Sequence, residues 1–174
     1  LGERMDGVLS TKAAKLTGIV NGIDYAVWNP LPDPALVARY DAEDTANKGR
    51  CKAAFLQEVG LPLAPDRPLL SYVGRIVSQK GSDLIAAALP KLLKSDVSIV
   101  IAGTGDPALC STLAAAVAKT PDRAAYLGFA SEASVHRLFA ASDLLLVPSR
   151  YEPCGLVQLY AQRYGAVPIA LRTG

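Results

Sequence analysis

The sequence predicts an α/β fold, a parallel sheet with helices on both faces. Three observations predict it. Short apolar runs recur from Leu69 onward, each run gives way to a segment of helical spacing, and glycines or prolines stand where the runs end. Apolar strands joined through helices imply right-handed βαβ crossovers, and a parallel sheet buried on both sides needs continuous apolar strands of this kind.

Taken in order, residues 1 to about 50 read as an irregular interdomain linker and lead-in segment. Asn21-Gly22-Ile23-Asp24 is turn chemistry, and Asn29-Pro30-Leu31-Pro32-Asp33-Pro34 is too broken by proline for a helix interior. Residues 51–174 read as the folded domain. A helix over Lys48–Val59 places Cys51, Ala54, Phe55 and Val59 on one side and stops at Gly60-Leu61-Pro62. Strands follow at Leu69–Val73, Val97–Ala102, Ala125–Phe129, Leu144–Val147 and Val167–Leu171. The helices between them cover Ser82–Leu93, Pro107–Lys119, Ser131–Ala141 and Leu156–Tyr164. The alternation is that of a Rossmann-like half.

Composition narrows the function classes. With 174 residues and 51% hydrophobic content the chain can bury one substantial core. Its net charge of +2 comes from scattered residues without a basic tract, so no electrostatic case for nucleic acid arises. No apolar run approaches the roughly 18 residues of a membrane span, and the N-terminus has no signal-peptide pattern. Cys51, Cys110 and Cys154 are widely spaced and form no Cys-x-x-Cys pair, which suggests neither a disulfide framework nor a zinc site and fits a reducing compartment. The chain starts without Met and stops at Gly174 directly after a strand, which reads as a piece of something longer.

In open α/β sheets ligands bind beyond the carboxyl ends of the strands, so the loops there are the candidates for chemistry. The first strand runs into Gly74-Arg75-Ile76-Val77-Ser78-Gln79-Lys80-Gly81. A guanidinium, an ammonium and free backbone N–H groups near a helix start would suit a diphosphate; the alternative is that Arg75 and Lys80 are solvated loop charges. The second strand ends in Gly103-Thr104-Gly105-Asp106-Pro107-Ala108, a loose match to a dinucleotide fingerprint without the acid that should follow, so a tight turn is the better reading and a nicotinamide site a distant one. Phe129 belongs to the core by spacing, or offers a face to an aromatic base. His136, the only histidine, has no serine motif or carboxylate beside it and reads as a surface or boundary residue. After the fourth strand comes Pro148-Ser149-Arg150-Tyr151-Glu152-Pro153-Cys154-Gly155. There Glu152 either caps the following helix or accepts hydrogen bonds from sugar hydroxyls, and Cys154 lacks the base a nucleophilic thiol would need.

Together these residues resemble one family, the ADP-glucose-dependent glycogen and starch synthases, which are retaining glycosyltransferases of the GT-B fold. The resemblance covers essentially the whole chain: Asn21-Gly22-Ile23-Asp24, Trp28-Asn29-Pro30, Gly74-Arg75, Ser78-Gln79-Lys80-Gly81, Pro148 through Leu156, and Arg172-Thr173-Gly174. It implies the C-terminal, nucleotide-binding half of a GT-B fold. It also implies transfer of glucose from ADP-glucose to the 4-hydroxyl of an α-1,4-glucan, with retention and with neither cofactor nor metal. By similarity Arg75 and Lys80 hold the donor diphosphate and Glu152 binds glucose hydroxyls. Asn21 reaches the glucose, while Gly74, Cys154, Gly155 and Leu156 line the donor. Phe129 lies against adenine, and Thr173 and Gly174 begin a loop whose N–H groups contact phosphate. Tyr160 stands where the wider retaining group often carries a second glutamate, which agrees with the synthases. The partner implied is an N-terminal GT-B domain, which supplies the acceptor surface and has no counterpart here, so this piece alone is expected not to transfer glucose. The compartment implied is the bacterial cytoplasm or the plastid stroma. A non-catalytic nucleotide-sugar-binding module, or a GT-B transferase using another donor, is the alternative.

Overall fold

The computed structural model describes residues 4–173. Its elements in chain order are α1 (Asp6–Ser10), α2 (Lys48–Glu58), β1 (Leu69–Val73), α3 (Ser82–Leu92), β2 (Ser98–Ala102), α4 (Pro107–Val117), β3 (Ala124–Tyr126), α5 (Glu132–Ala141), β4 (Leu144–Val147), α6 (Leu156–Arg163) and β5 (Val167–Ala170). Single 3₁₀ turns lie at Ala13–Lys15 and Ser78–Lys80.

All strand pairings are parallel and the strand order is β3-β2-β1-β4-β5. The chain builds outward from β1 to β3 and then returns to lay β4 on the other side of β1. The order therefore reverses between β1 and β4, where the loops leaving two neighbouring strands diverge to opposite faces of the sheet.

The strands' alternation divides the core. Leu70, Tyr72, Ile99 and Ile101 point to one face and pack with Ile85 and Leu89 of α3 and Leu113 and Val117 of α4. Leu69, Val100 and Ala102 point to the other, against Phe55 and Leu56 of α2 and Leu138 and Ala141 of α5. Leu145 and Val147 continue that second face toward Phe139 and Ala161. Burying each large aliphatic side chain contributes roughly 1.5–3 kcal/mol, so both faces hold the sheet.

Two polar anchors were hidden from the pattern. Lys52 of α2 is buried and directs its ammonium to Asp143 Oδ2 at 2.7 Å and to the carbonyls of Pro65 and Arg67; the same carboxylate oxygen accepts the Leu69 N–H at the start of β1. The lead-in segment packs onto the domain from Trp28 onward, while its described residues before that point are almost all exposed. Trp28 lies between His136 and Tyr160, with ring centroids 4.2 and 3.9 Å away, and Asn29 Oδ1 accepts a bond from Arg163 at 2.7 Å. His136 is thus buried, not at the surface. Its Nδ1 meets Asp33 Oδ2 at 2.7 Å, a carboxylate supplied from 103 residues upstream. Burial and the adjacent Asp33 push the Tyr164 phenol well up, so it remains a donor to that carboxylate.

The third strand is shorter than its apolar run. It ends at Tyr126, so Phe129 lies in the following loop and is 82% exposed. The core reading of Phe129 fails because Gly128, with φ near +59°, turns the chain out of the sheet before the ring.

Candidate functional site

The loops after β1 and β4 flank the switch point and are stitched together. Arg150 N–H donates to the Gln79 carbonyl at 2.9 Å, and Gln79 Nε2 donates to the Tyr151 carbonyl at 3.3 Å. Gly81 lets the two backbones touch. It has φ of +72°, and a Cβ there would stand 2.2 Å from the Pro148 carbonyl oxygen, so no other residue fits without parting the loops.

Across this seam Lys80 Nζ meets Glu152 Oε2 at 2.6 Å, and Ser149 Oγ donates to the same oxygen at 3.1 Å. Burial raises the Glu152 carboxyl, but the bonds from Lys80, Ser149 and the Gly155 backbone outweigh it and hold the group below the usual carboxylate range. It is therefore ionised at neutral pH. Lys80 spends one of its three donors on Glu152, which leaves two for a ligand, and the second carboxylate oxygen of Glu152 retains acceptor capacity. The cap and ligand readings of Glu152 are not exclusive: Gly155, the left-handed residue that opens α6, faces this carboxylate with its N–H.

Lys80 and Glu152 line a small cleft with Gly74, Val73 and Ser149. Gly74 and Val73 also line a neighbouring cleft of about 230 Å³, bounded by Arg75, Gly103, Thr104 and Phe129. The two clefts adjoin at Val73 and Gly74 and together make a trough along the carboxyl ends of β4, β1 and β2, with Glu152 lining one part and Phe129 the other. Arg75 is exposed, and the one hydrogen bond of its side chain among the described residues is a long 3.4 Å contact to Gln79 Oε1, which leaves most of its guanidinium fork available. Thr173 joins the site through its hydroxyl, which donates to the Arg150 carbonyl at 3.3 Å. Cys154 is an exposed free thiol beside Glu152, and Leu156 begins α6 directly behind it.

Three expectations are corrected or left aside. The loop after β1 offers only part of its backbone, because the N–H groups of Ile76, Val77, Lys80 and Gly81 donate within the fold, whereas those of Arg75, Ser78 and Gln79 have no partner among the described residues. The Asp83 carboxylate faces its own and the Leu84 N–H at the start of α3, so that helix end is already occupied by a negative charge. The side chains of Arg75 and Lys80 supply the loop's positive charge, and the free N–H groups add to them. Asn21 lies elsewhere: it lines a larger cavity of about 650 Å³ with Tyr25, Lys48, Gln162 and Gly165, and shares none of the trough's residues. Gly174 lies outside the described residues.

The larger cavity sits at the wrong end of the sheet, since Gly165 precedes β5 and Lys48 opens α2. Its lysine is also committed. Lys48 Nζ caps the ends of α5 and α6 through the Ala140 and Tyr164 carbonyls, both at 2.9 Å, and burial lowers its pKa to about 8.

Reasoning from sequence missed Arg150, whose guanidinium makes a bidentate pair with Asp83, both bonds 2.7 Å. The signal was an arginine inside a strand-to-helix loop, with an aspartate one residue into α3. Tyr160 stacks on Trp28 and takes no part in the trough.

Comparison with known proteins adds a family to this geometry. The sequence model for "Glycosyl transferases group 1" matches residues 57–174. The chain is 49% identical over 174 residues to the glycogen synthase of Anaeromyxobacter dehalogenans strain 2CP-C and 43% identical to starch synthase 1, chloroplastic/amyloplastic, of Triticum aestivum. The alignments take in 99% of this chain but 36% and 27% of those proteins. The chain therefore spans about a third or less of the length of the curated relatives it matches. Among solved structures it is similar to the catalytic domain of starch synthase IV from Arabidopsis thaliana bound to ADP and acarbose. The TM-score is 0.91 at 37% identity, covering 99% of this chain and 36% of that one.

Proposed function

The chain belongs to the glycosyl transferases of group 1, and from that premise we propose that it is the donor-binding half of a glycogen or starch synthase. In this reading the intact protein transfers glucose from ADP-glucose to the 4-hydroxyl of an α-1,4-glucan with retention. An N-terminal domain facing the trough completes the site, and the acceptor enters between the two halves. The compartment that goes with this reading is the bacterial cytoplasm or the plastid stroma, the second in keeping with the chloroplastic/amyloplastic starch synthase of Triticum aestivum.

The observation that carries the proposal is the Lys80–Glu152 pair across the β1/β4 switch point, with Arg75 and Phe129 farther along the same trough. Adenine lies on the exposed Phe129 ring, the diphosphate meets Arg75 and Lys80, and glucose hydroxyls donate to Glu152. Bond breaking places negative charge on the departing ADP. Lys80, already fixed by Glu152, stabilises that charge without reorganising, and Arg75 adds a second cation; electrostatic stabilisation of this kind is the usual source of a large rate gain in such sites. Glu152, ionised and anchored by Lys80, sits one hydrogen-bond length from the cation that meets the phosphate, so sugar and leaving group are located relative to each other by one contact. The ADP and acarbose found with the Arabidopsis relative support the nucleotide and glucan classes.

Calorimetric titration of ADP into the chain tests the reading. Binding is expected, and Arg75→Ala and Lys80→Ala are each expected to abolish it. Binding that survives both substitutions would remove the basis of the proposal.

A further inference from the structure

The trough's residues belong to different loops, and Lys80 and Glu152 meet only while those loops keep register. Of the contacts that keep it, most converge on one residue. Arg150 donates its N–H to the Gln79 carbonyl at 2.9 Å and accepts the Thr173 hydroxyl on its own carbonyl at 3.3 Å. Its guanidinium reaches the Ser78 carbonyl and hydroxyl on the 3₁₀ turn, and forms the two 2.7 Å bonds to Asp83 on the first turn of α3. Arg150 is therefore where the loops after β1, β4 and β5 are joined.

We propose that Arg150 and Asp83 are positioning residues that hold the Lys80 and Glu152 loops in register, and so set the preference for the sugar-bearing donor over the bare nucleotide. The inference rests on the functional reading above. Neither side chain lines the trough; they act through Ser78, Gln79 and the backbone that carries Glu152. Their purpose is not bulk stability, because both are well exposed, with side chains at 43% and 36%, and exposed ion pairs are weakened by solvent and salt. What distinguishes this pair is bidentate geometry, which fixes direction as well as distance. A nucleotide without its sugar uses Phe129, Arg75 and Lys80, all on the β1 and β3 loops. The sugar needs Glu152, on the β4 loop. Loosening the clasp should then penalise the sugar-bearing ligand selectively.

The experiment compares dissociation constants for ADP and ADP-glucose, measured by calorimetry on the chain and its Arg150→Ala, Arg150→Lys, Asp83→Asn and Arg150→Ala/Asp83→Asn variants, with melting temperatures alongside. Coupled neighbours typically interact by enough to change affinity several-fold to a hundredfold. Arg150→Ala and Asp83→Asn are each expected to weaken ADP-glucose by about tenfold while ADP stays within about twofold. The double variant should be no worse than the worse single, and Arg150→Lys should recover only part, since an ammonium cannot form the fork. Equal losses for both ligands, additive losses in the double variant, or unchanged affinities would each overturn the clasp. Should the unaltered chain bind neither ligand, the functional reading fails and the clasp's role fails with it; binding by the unaltered chain alongside indifferent variants sinks the clasp alone.

Discussion

Replacing Gly81 with alanine should part the two loops on which the site depends. The new Cβ would lie 2.2 Å from the Pro148 oxygen and 2.8 Å from its carbonyl carbon. Ordinary contact requires about 3.4 Å, so one backbone must retreat by about 1 Å. The bonds that span the seam have no such slack: Arg150 N–H to Gln79 at 2.9 Å and Gln79 to Tyr151 at 3.3 Å would pass beyond hydrogen-bond reach. Alanine in the left-handed region adds roughly 1–2 kcal/mol, and each lost bond about 1 kcal/mol. The sum is on the order of 3 kcal/mol, or a fall in melting temperature of about 6–12 °C for a domain of this size. Thermal unfolding followed by circular dichroism measures it, with Gly22→Ala as control, because a Cβ at Gly22 meets nothing within 4 Å. A Gly81→Ala protein that melts with the unaltered chain and still binds ADP-glucose would refute the close approach.

Phe129→Ala should weaken ADP by about tenfold through lost base stacking yet leave the melting temperature unchanged, since the ring is 82% exposed; calorimetry paired with a thermal melt checks both halves. Glu152 is held below its ordinary value of 4.5 by bonds made only in the fold. A depressed carboxyl contributes stability that is present above the unfolded value and is lost as pH falls through the folded one. The stability advantage over Glu152→Gln, read from urea midpoints, should therefore be full at neutral pH and vanish in acid; an advantage that is constant or grows on acidification contradicts the pairing. Asp33→Ala strips the buried His136 and Tyr164 of their shared acceptor and should cost about 3 kcal/mol of unfolding free energy, while ADP affinity holds because none of the three lines the trough.

How much was legible follows from which signals are local. The strands and helices were, because period-2 and period-3.6 apolar patterns are properties of neighbouring residues. Six of the site's residues, Gly74, Arg75, Lys80, Glu152, Cys154 and Gly155, stand on loops that the alternation itself locates at the strand ends. What spacing could not supply is anything set by meeting at long range. Asp33 finds His136 across 103 residues, and Lys52 finds Asp143 across 91. Nothing beside His136 in sequence announces a carboxylate. The occupied N–H groups after β1 were invisible for the same reason: a glycine-flanked loop looks open until its hydrogen bonds are traced. The core reading of Phe129 failed by a different route. An apolar run predicts a strand, but Gly128 ends it, and three residues decide whether a ring is core or ligand surface. Asn21 was placed by resemblance alone, and its cavity lies at the opposite end of the sheet from the trough.

The proposed function places ADP-glucose along the carboxyl ends of β4, β1 and β2. Amide chemical shifts of the isotope-labelled chain, followed as ADP-glucose is added, test it directly. Shifts should concentrate at Gly74 to Gly81, around Phe129 and from Glu152 to Leu156. Shifts gathered instead around Tyr25, Lys48, Gln162 and Gly165 would put the ligand in the larger cavity and contradict the site proposed.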